Sequence, residues 1–212
     1  MATATKTRTK LPTFKGKHLI KIEADFLVGD FGKAVLEKYE GRARADYNNA
    51  KALNALSYEN NVVKGSNPFA VVLVNQIISE AGLRTATPAD LERILKLNVY
   101  LPLRGHYEDT ALVLRSKEEP NSYLAGNLME QIKAREKLPI MIPLHSFELV
   151  YDLNSPHKLA FNLKDDAEIF YNQTILNKVG NFSSEDIDEK IGLPKRTGEA
   201  DRRLHTRASG LS

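Results

Sequence analysis

One short stretch of the sequence concentrates side chains that could move protons. Arg104, His106, Glu108 and Asp109 fall within six residues, directly after an apolar segment. A histidine beside carboxylates is the usual equipment for general acid–base catalysis, and polar loops often carry active sites. We therefore treat His106 and Asp109 as candidate catalytic residues. The same composition is also typical of a solvated loop with no catalytic role.

A second polar stretch supplies carboxylates that could join this loop. Asp165, Asp166 and Glu168 stand close together, with Lys164 beside them. Metal-dependent hydrolases need carboxylates that converge from different elements, often with a lysine nearby. A small metal-dependent or histidine-based hydrolase using His106, Asp109 and Asp165 is therefore one hypothesis. The alternative interpretation of residues 165–168 is an ordinary polar turn.

Most other kinds of reactive site are excluded by the residues themselves. The chain has no cysteine, which rules out disulfides, thiolate metal sites and cysteine nucleophiles. Its five histidines show no metal-binding spacing, and His145 is expected to be structural, in a strand region. We find no Gly-x-Ser-x-Gly, no phosphate-binding loop and no dinucleotide fingerprint. The sequence therefore predicts no cofactor and no metal site.

The charge of the chain is concentrated at its two ends. Residues 1–17 carry five cations and no acid, and residues 195–207 carry five cations against two acids. The whole chain has a net charge of +3, so these ends, at +5 and +3, leave −5 for the residues between them. The end cations are Lys6, Arg8, Lys10, Lys15 and Lys17, followed by Lys195, Arg196, Arg202, Arg203 and Arg207.

Basic ends on an acidic body favour a binding function over catalysis. Cations of this kind neutralise phosphates and give salt-sensitive attraction that does not depend on base sequence. We expect a non-enzymatic protein whose ends contact nucleic acid or a nucleoprotein assembly. The second hypothesis is a self-assembling scaffold protein. Its copies would form a homo-oligomer through contacts of the apolar helix around Phe69 and the segment 99–103. The hydrolase is the third.

The first half of the chain has mainly helical patterns. A short strand is predicted within residues 18–28, and a long helical pattern covers residues 33–58, with a possible break at Asn48-Asn49. Asn67 and Pro68 predict the start of a buried helix that runs to Ala81, followed by Gly82 as its C-terminal glycine. Thr87 with Asp90 predicts a capping box for a further helix to Leu97.

The second half alternates strands with turns. Strands are predicted at 110–115, 140–144 and 168–175, and a hairpin at 147–151 and 158–162. Helices are predicted from about residue 122 to 136, with Leu124, Leu128 and Ile132 on the buried side, and from Ser183 or Ser184 to Ile191. Residues 195–212 lack periodicity, and we interpret them as an exposed tail.

These elements predict an α+β fold. A helical N-terminal half would pack on a small mixed or antiparallel sheet from the C-terminal half. We expect a flexible basic arm (1–17), one domain (18–194) and a basic tail (195–212). The domain could also divide into a helical part (18–98) and a sheet-rich part (99–194). No apolar run is long enough to cross a membrane, and no signal peptide is evident, so we expect a cytoplasmic protein.

Overall fold

The structure is a computed structural model that describes residues 27–87, 90, 108–114, 123–132, 140–171, 187–188, 193–194 and 206–210. Several predicted segments lie outside these residues, wholly or in part: the arm, the strand before residue 27, most of the helix 88–97, the segment 99–103 and most of the tail. Within the described residues, helices and sheets both occur, which confirms the α+β class.

Helix α1 (Gly29–Tyr47) ends earlier than its sequence pattern predicted. Asn48 and Asn49 adopt φ values of 49° and 50°, a left-handed conformation that stops a helix. The following residues form a hairpin of strands β1 (Ser57–Glu59) and β2 (Val62–Lys64), so the predicted helix to residue 58 is wrong there. The hairpin turn is Asn60-Asn61, with φ values of 51° and 65°, as a tight two-residue turn requires.

Helix α2 (Pro68–Ile78) confirms the predicted capping signals. The side-chain oxygen of Asn67 accepts a hydrogen bond of 2.8 Å from the amide of Ala70. A short 3₁₀ turn continues the helix to Ala81, and Gly82 ends it with a φ of 72°. The helix is buried on nearly all sides, because apolar residues follow one another around its circumference.

The main sheet combines strands from distant parts of the chain. Its strands are β3 (Glu108–Leu114), β4 (Ile140–Pro143), β7 (Phe170–Tyr171) and β10 (Thr206–Gly210), and helix α3 (Tyr123–Gln131) lies between β3 and β4 in the chain. The strand order in the sheet is β10-β3-β4-β7. Strand β4 is antiparallel to β3 and to β7, whereas β10 is parallel to β3. Residues 206–210 therefore form a strand where the sequence predicted a tail without regular structure.

Two further pairs of antiparallel strands lie outside the main sheet. Strands β5 (Phe147–Tyr151) and β6 (Leu159–Leu163) form the predicted hairpin. Strands β8 (Ile187–Asp188) and β9 (Leu193–Pro194) also pair with each other. The helix predicted from 183 to 191 is therefore wrong at residues 187–188. Acidic residues after a serine resemble a helix start, but here a segment six residues farther along supplies a strand partner.

Helix α2 lies at the centre of the hydrophobic core. Its Val72, Leu73 and Ile77 are completely buried and belong to the same cluster as residues of β3, β4 and the β5–β6 hairpin. Phe69 stacks on Phe161 with ring centroids 4.9 Å apart. The helical half therefore packs on the sheet-rich half, as predicted. Among the described residues, the helices are too short or too polar to span a membrane.

Candidate functional site

The basic ends lie almost entirely outside the described residues. Arg207 is within them, in β10. The cations outside them are Lys6, Arg8, Lys10, Lys15, Lys17, Lys195, Arg196, Arg202 and Arg203. Their predicted role in binding nucleic acid therefore stays a prediction from charge.

Strand β10 brings part of the basic tail beside acids of β3. In the parallel register, Thr206 is paired with Glu108 and Arg207 with Asp109. The Asp109 carboxylate also accepts a hydrogen bond of 2.7 Å from the hydroxyl of Ser66, in the turn that precedes α2. The backbone register thus pairs Arg207 with an acidic residue of β3.

The candidate catalytic residues are not assembled into a site by the described residues. His106 lies outside them, and Asp109 is the second residue of β3, where its carboxylate accepts a hydrogen bond from Ser66. Asp165 is exposed in a turn that follows β6, where the amide of Ala167 donates to the carbonyl of Lys164. Across the described ranges, no three histidine, aspartate or glutamate side chains are grouped so that they could hold a metal ion. The hydrolase hypothesis accordingly gains no support.

A polar cluster that the sequence did not single out surrounds His145. This residue lies in a 3₁₀ turn, Leu144–Ser146, between β4 and β5, in the strand region where the sequence placed it. We call the group the His145 cluster. It consists of Asn75 from α2, Arg84 and Asp90 from the segment after α2, His145, and Lys164 and Glu168 from the segment after β6.

Asn75 is the buried link between α2 and two other segments. Its side-chain oxygen accepts hydrogen bonds from the amide of Thr85 (3.0 Å) and the hydroxyl of Thr85 (3.3 Å). Its side-chain nitrogen lies 3.5 Å from the carbonyl oxygen of His145, which also accepts a 2.8 Å bond from the Lys164 ammonium group. An amide is well suited to this position, since it both donates and accepts.

Arg84 and Asp90 form an ion pair beside the imidazole. Both guanidinium terminal nitrogens donate to the Asp90 carboxylate, one of them at 3.1 Å. The same carboxylate accepts from the amide and hydroxyl of Thr87, and the amide of Asp90 donates back to that hydroxyl, which confirms the capping box. Burial alone would raise the pKa of Asp90, but the bonds from Arg84 and Thr87 outweigh it and lower the pKa to about 2.

The His145 imidazole is held with one nitrogen sealed from solvent. Its Nδ1 atom is buried and has no hydrogen-bond partner among the described residues. Its Nε2 atom lies 4.0 Å from the carboxylate of Glu168, whose side chain is half exposed. Burial lowers the pKa of His145, the Arg84 charge lowers it further, and the Glu168 carboxylate opposes these effects. Protonation of the ring is therefore disfavoured where it stands.

One feature of the sequence could have indicated the His145 cluster. Asn75 interrupts an otherwise apolar helix, and a polar residue buried there needs hydrogen-bond partners. The partners themselves lie up to 70 residues away and have no local pattern. No protein-family model, curated protein or solved structure matches the chain.

Proposed function

We propose that this chain binds nucleic acid, or a nucleoprotein assembly, through its two basic ends. The observation that carries the proposal is the segregation of charge. Residues 1–17 have five cations and no acid, and residues 195–207 have five cations and two acids, on a chain whose total is only +3. Contact with a polyanion would therefore be confined to the ends, because the body between them is acidic.

The expected interaction is electrostatic and independent of base sequence. Each cation that neutralises a phosphate releases condensed counterions, so affinity falls steeply as salt increases. The folded residues would serve as the body that carries both ends. Arg207 is expected to contribute less than Arg202 and Arg203, because the β10 register sets it beside Asp109.

The test compares two triple variants that lose the same charge. Lys6→Ala/Arg8→Ala/Lys10→Ala removes three cations from the arm. Lys33→Ala/Arg44→Ala/Lys51→Ala, the matched control, removes three exposed cations from the folded body. Binding of each to a fluorescent single-stranded oligonucleotide is followed by anisotropy from 50 to 200 mM salt, conditions chosen for the strong salt dependence of such binding.

The two variants should differ in both affinity and salt dependence. If three arm cations contact phosphates, the slope of log K against log salt becomes less negative by about 2, at roughly 0.7 per contact on a single strand. The control should keep the wild-type slope. Equal losses in both variants would mean that only total charge matters. No binding by the wild type at low salt would rule the proposal out.

A second candidate function is self-assembly, and one surface feature favours it. Tyr123, Tyr151 and Leu153 are large exposed side chains around the tip of the β5–β6 hairpin, and Leu153 is 66% exposed. Tyr123 is hydrogen-bonded to Asp152, between the other two, so the three lie close together. The contact predicted through Phe69 is not available, because that ring is buried in the core.

Light scattering tests the assembly proposal. The wild-type mass should rise with concentration, and Leu153→Asp should keep the chain monomeric without changing its circular dichroism spectrum. Glu148→Asp, at an exposed position on the same hairpin, serves as a control that leaves the apolar side chains in place. A wild-type chain that stays monomeric at high concentration rules out this function.

A further inference from the structure

The His145 cluster connects four parts of the chain: helix α2, residues 83–87, the turn at 144–146 and residues 164–168. Asn75 of α2 holds Thr85 through its oxygen and lies against the carbonyl of His145 through its nitrogen. The ammonium group of Lys164 donates a hydrogen bond of 2.8 Å to the same carbonyl oxygen. Next to His145, the Ser146 hydroxyl accepts the amide of Glu168 at 3.0 Å, and the Ser146 carbonyl accepts the amide of Lys164 at 3.0 Å. These contacts connect the turn at His145 directly to residues 164–168 and, through Asn75, to residues 83–87.

Charges face the imidazole from two of these segments. The segment after α2 presents Arg84 and Asp90, and the segment after β6 presents Lys164 and Glu168. Helix α2 presents the uncharged amide of Asn75. Neither carboxylate is committed to the imidazole. Asp90 is hydrogen-bonded to Arg84, and the side chain of Glu168 is half exposed to solvent.

Protonation of the His145 ring is unfavourable in this environment. It would create a second N–H, but Nδ1 is buried without an acceptor among the described residues. The new positive charge would stand near both Arg84 and Lys164. An unsatisfied buried donor and a like-charge neighbour both disfavour the protonated form, whereas Glu168 at 4.0 Å offers only a long contact.

We propose that His145 is a pH-sensitive latch, which holds residues 83–87 and 164–168 against α2 while the ring is neutral and releases them when it is protonated. Protonation favours separation of residues 83–87 and 164–168 from α2, because in the released state the imidazolium is hydrated and is farther from the charge of Arg84. The latch is local, since the apolar core around α2 does not depend on the charge of this ring. It is also independent of any binding by the basic ends.

The sign of the effect follows from the free energies of the two states. Burial and the neighbouring cations lower the pKa of His145 in the closed state, and in the released state the pKa returns to about 6.5. The latch is therefore fully closed above pH 6.5 and weakens as the pH falls below that value. At pH 5.5 the opening equilibrium can rise by at most about tenfold, the limit for one group with a released pKa of about 6.5.

Hydrogen exchange of two backbone amides reads the latch directly. The amide of Thr85 donates to Asn75, and the amide of Glu168 donates to Ser146, so both become exchangeable on release. After correction for intrinsic exchange, their protection should drop several-fold, up to about tenfold, between pH 7.5 and pH 5.5. Amides of the core strand β4 should keep their protection over the same range.

Two histidine variants provide the comparison. His145→Gln should show equal protection at both pH values, because the titrating ring is gone. His157→Gln removes an exposed histidine that lies against Phe69, and it should retain the wild-type response. Unchanged protection in the wild type, or a pH response that survives in His145→Gln, would overturn the proposal.

A titration of the wild-type protein covers the case in which His145→Gln fails to fold. The imidazole C–H resonance of His145, followed by NMR, should titrate below pH 6.5. Titration at or above 6.5 would overturn the latch, because protonation would then not favour release.

Discussion

The replacement Asn75→Ala should destabilise the protein more than its small change in volume suggests. Asn75 is only 2% exposed, and its side-chain oxygen is the hydrogen-bond acceptor for both donors of Thr85, the amide and the hydroxyl. Truncation to alanine leaves the Thr85 amide without its acceptor in a partly buried position. The segment that follows α2 loses its main polar anchor as a result.

The size of the loss can be worked out from the individual contacts. An unsatisfied buried amide costs about 1–3 kcal/mol, and the weaker bond from the Thr85 hydroxyl adds about 0.5–1 kcal/mol. The His145 carbonyl loses little, because the contact at 3.5 Å is long and Lys164 still donates to that oxygen at 2.8 Å. The free energy of unfolding should therefore fall by about 1.5–4 kcal/mol.

Urea unfolding followed by far-ultraviolet circular dichroism measures this loss, since the chain contains no tryptophan for fluorescence. The neighbouring residue provides a matched control. Gln76 is only half buried, and its side chain takes part in one long hydrogen bond of 3.5 Å from Tyr47, so Gln76→Ala should cost less than about 1 kcal/mol. Equal losses in the two variants would refute the reasoning that Asn75 is a buried anchor.

Two further predictions test the backbone. Gly82→Ala should lower the free energy of unfolding by about 1–2 kcal/mol, because residue 82 has a left-handed backbone conformation and the added carbon meets no other atom. Gly65→Ala should lower it by more than about 3 kcal/mol or prevent folding, because the added carbon would lie 1.9 Å from the carbonyl oxygen of Ala55. Thermal melts compare the two, and equal melting temperatures would contradict the clash. Separately, Ala111→Cys/Ala208→Cys should form an intramolecular disulfide, since these residues are paired in the β3–β10 register and the chain has no other cysteine. Thiol titration and mass spectrometry detect it, the single variants are the controls, and free thiols after mild oxidation would contradict that register.

Local signals in the sequence were sufficient for several elements. The cap of α2 joins Asn67 to an amide three residues away, and the Thr87–Asp90 capping box spans the same distance. The β5–β6 hairpin was predictable as well, because two alternating runs flank one turn-rich loop. In each case the interacting groups are close in the chain, so the residue types alone indicate the contact.

Other features had a local signal that the helical pattern obscured. Asn48-Asn49 ends α1, and Asn60-Asn61 forms the turn of the β1–β2 hairpin. Asparagine tolerates the left-handed conformation better than most residues, so both pairs were recognisable as breaks. The spacing of apolar residues across 33–58 favoured one long helix instead. The pattern is ambiguous because these apolar residues can be buried in the core either by a continuous helix or by a shorter helix followed by a turn and two strands.

The sequence by itself determined the class of the fold, the buried central helix and the placement of charge at the two ends. Only the tertiary structure decided that Thr206–Gly210 joins the sheet beside β3, and that His145 has Arg84 and Glu168 as charged neighbours and one nitrogen buried from solvent. The physical reason is distance along the chain. Strand partners and charged neighbours that act across dozens of residues depend on how the core packs, and no local pattern of side chains encodes that packing.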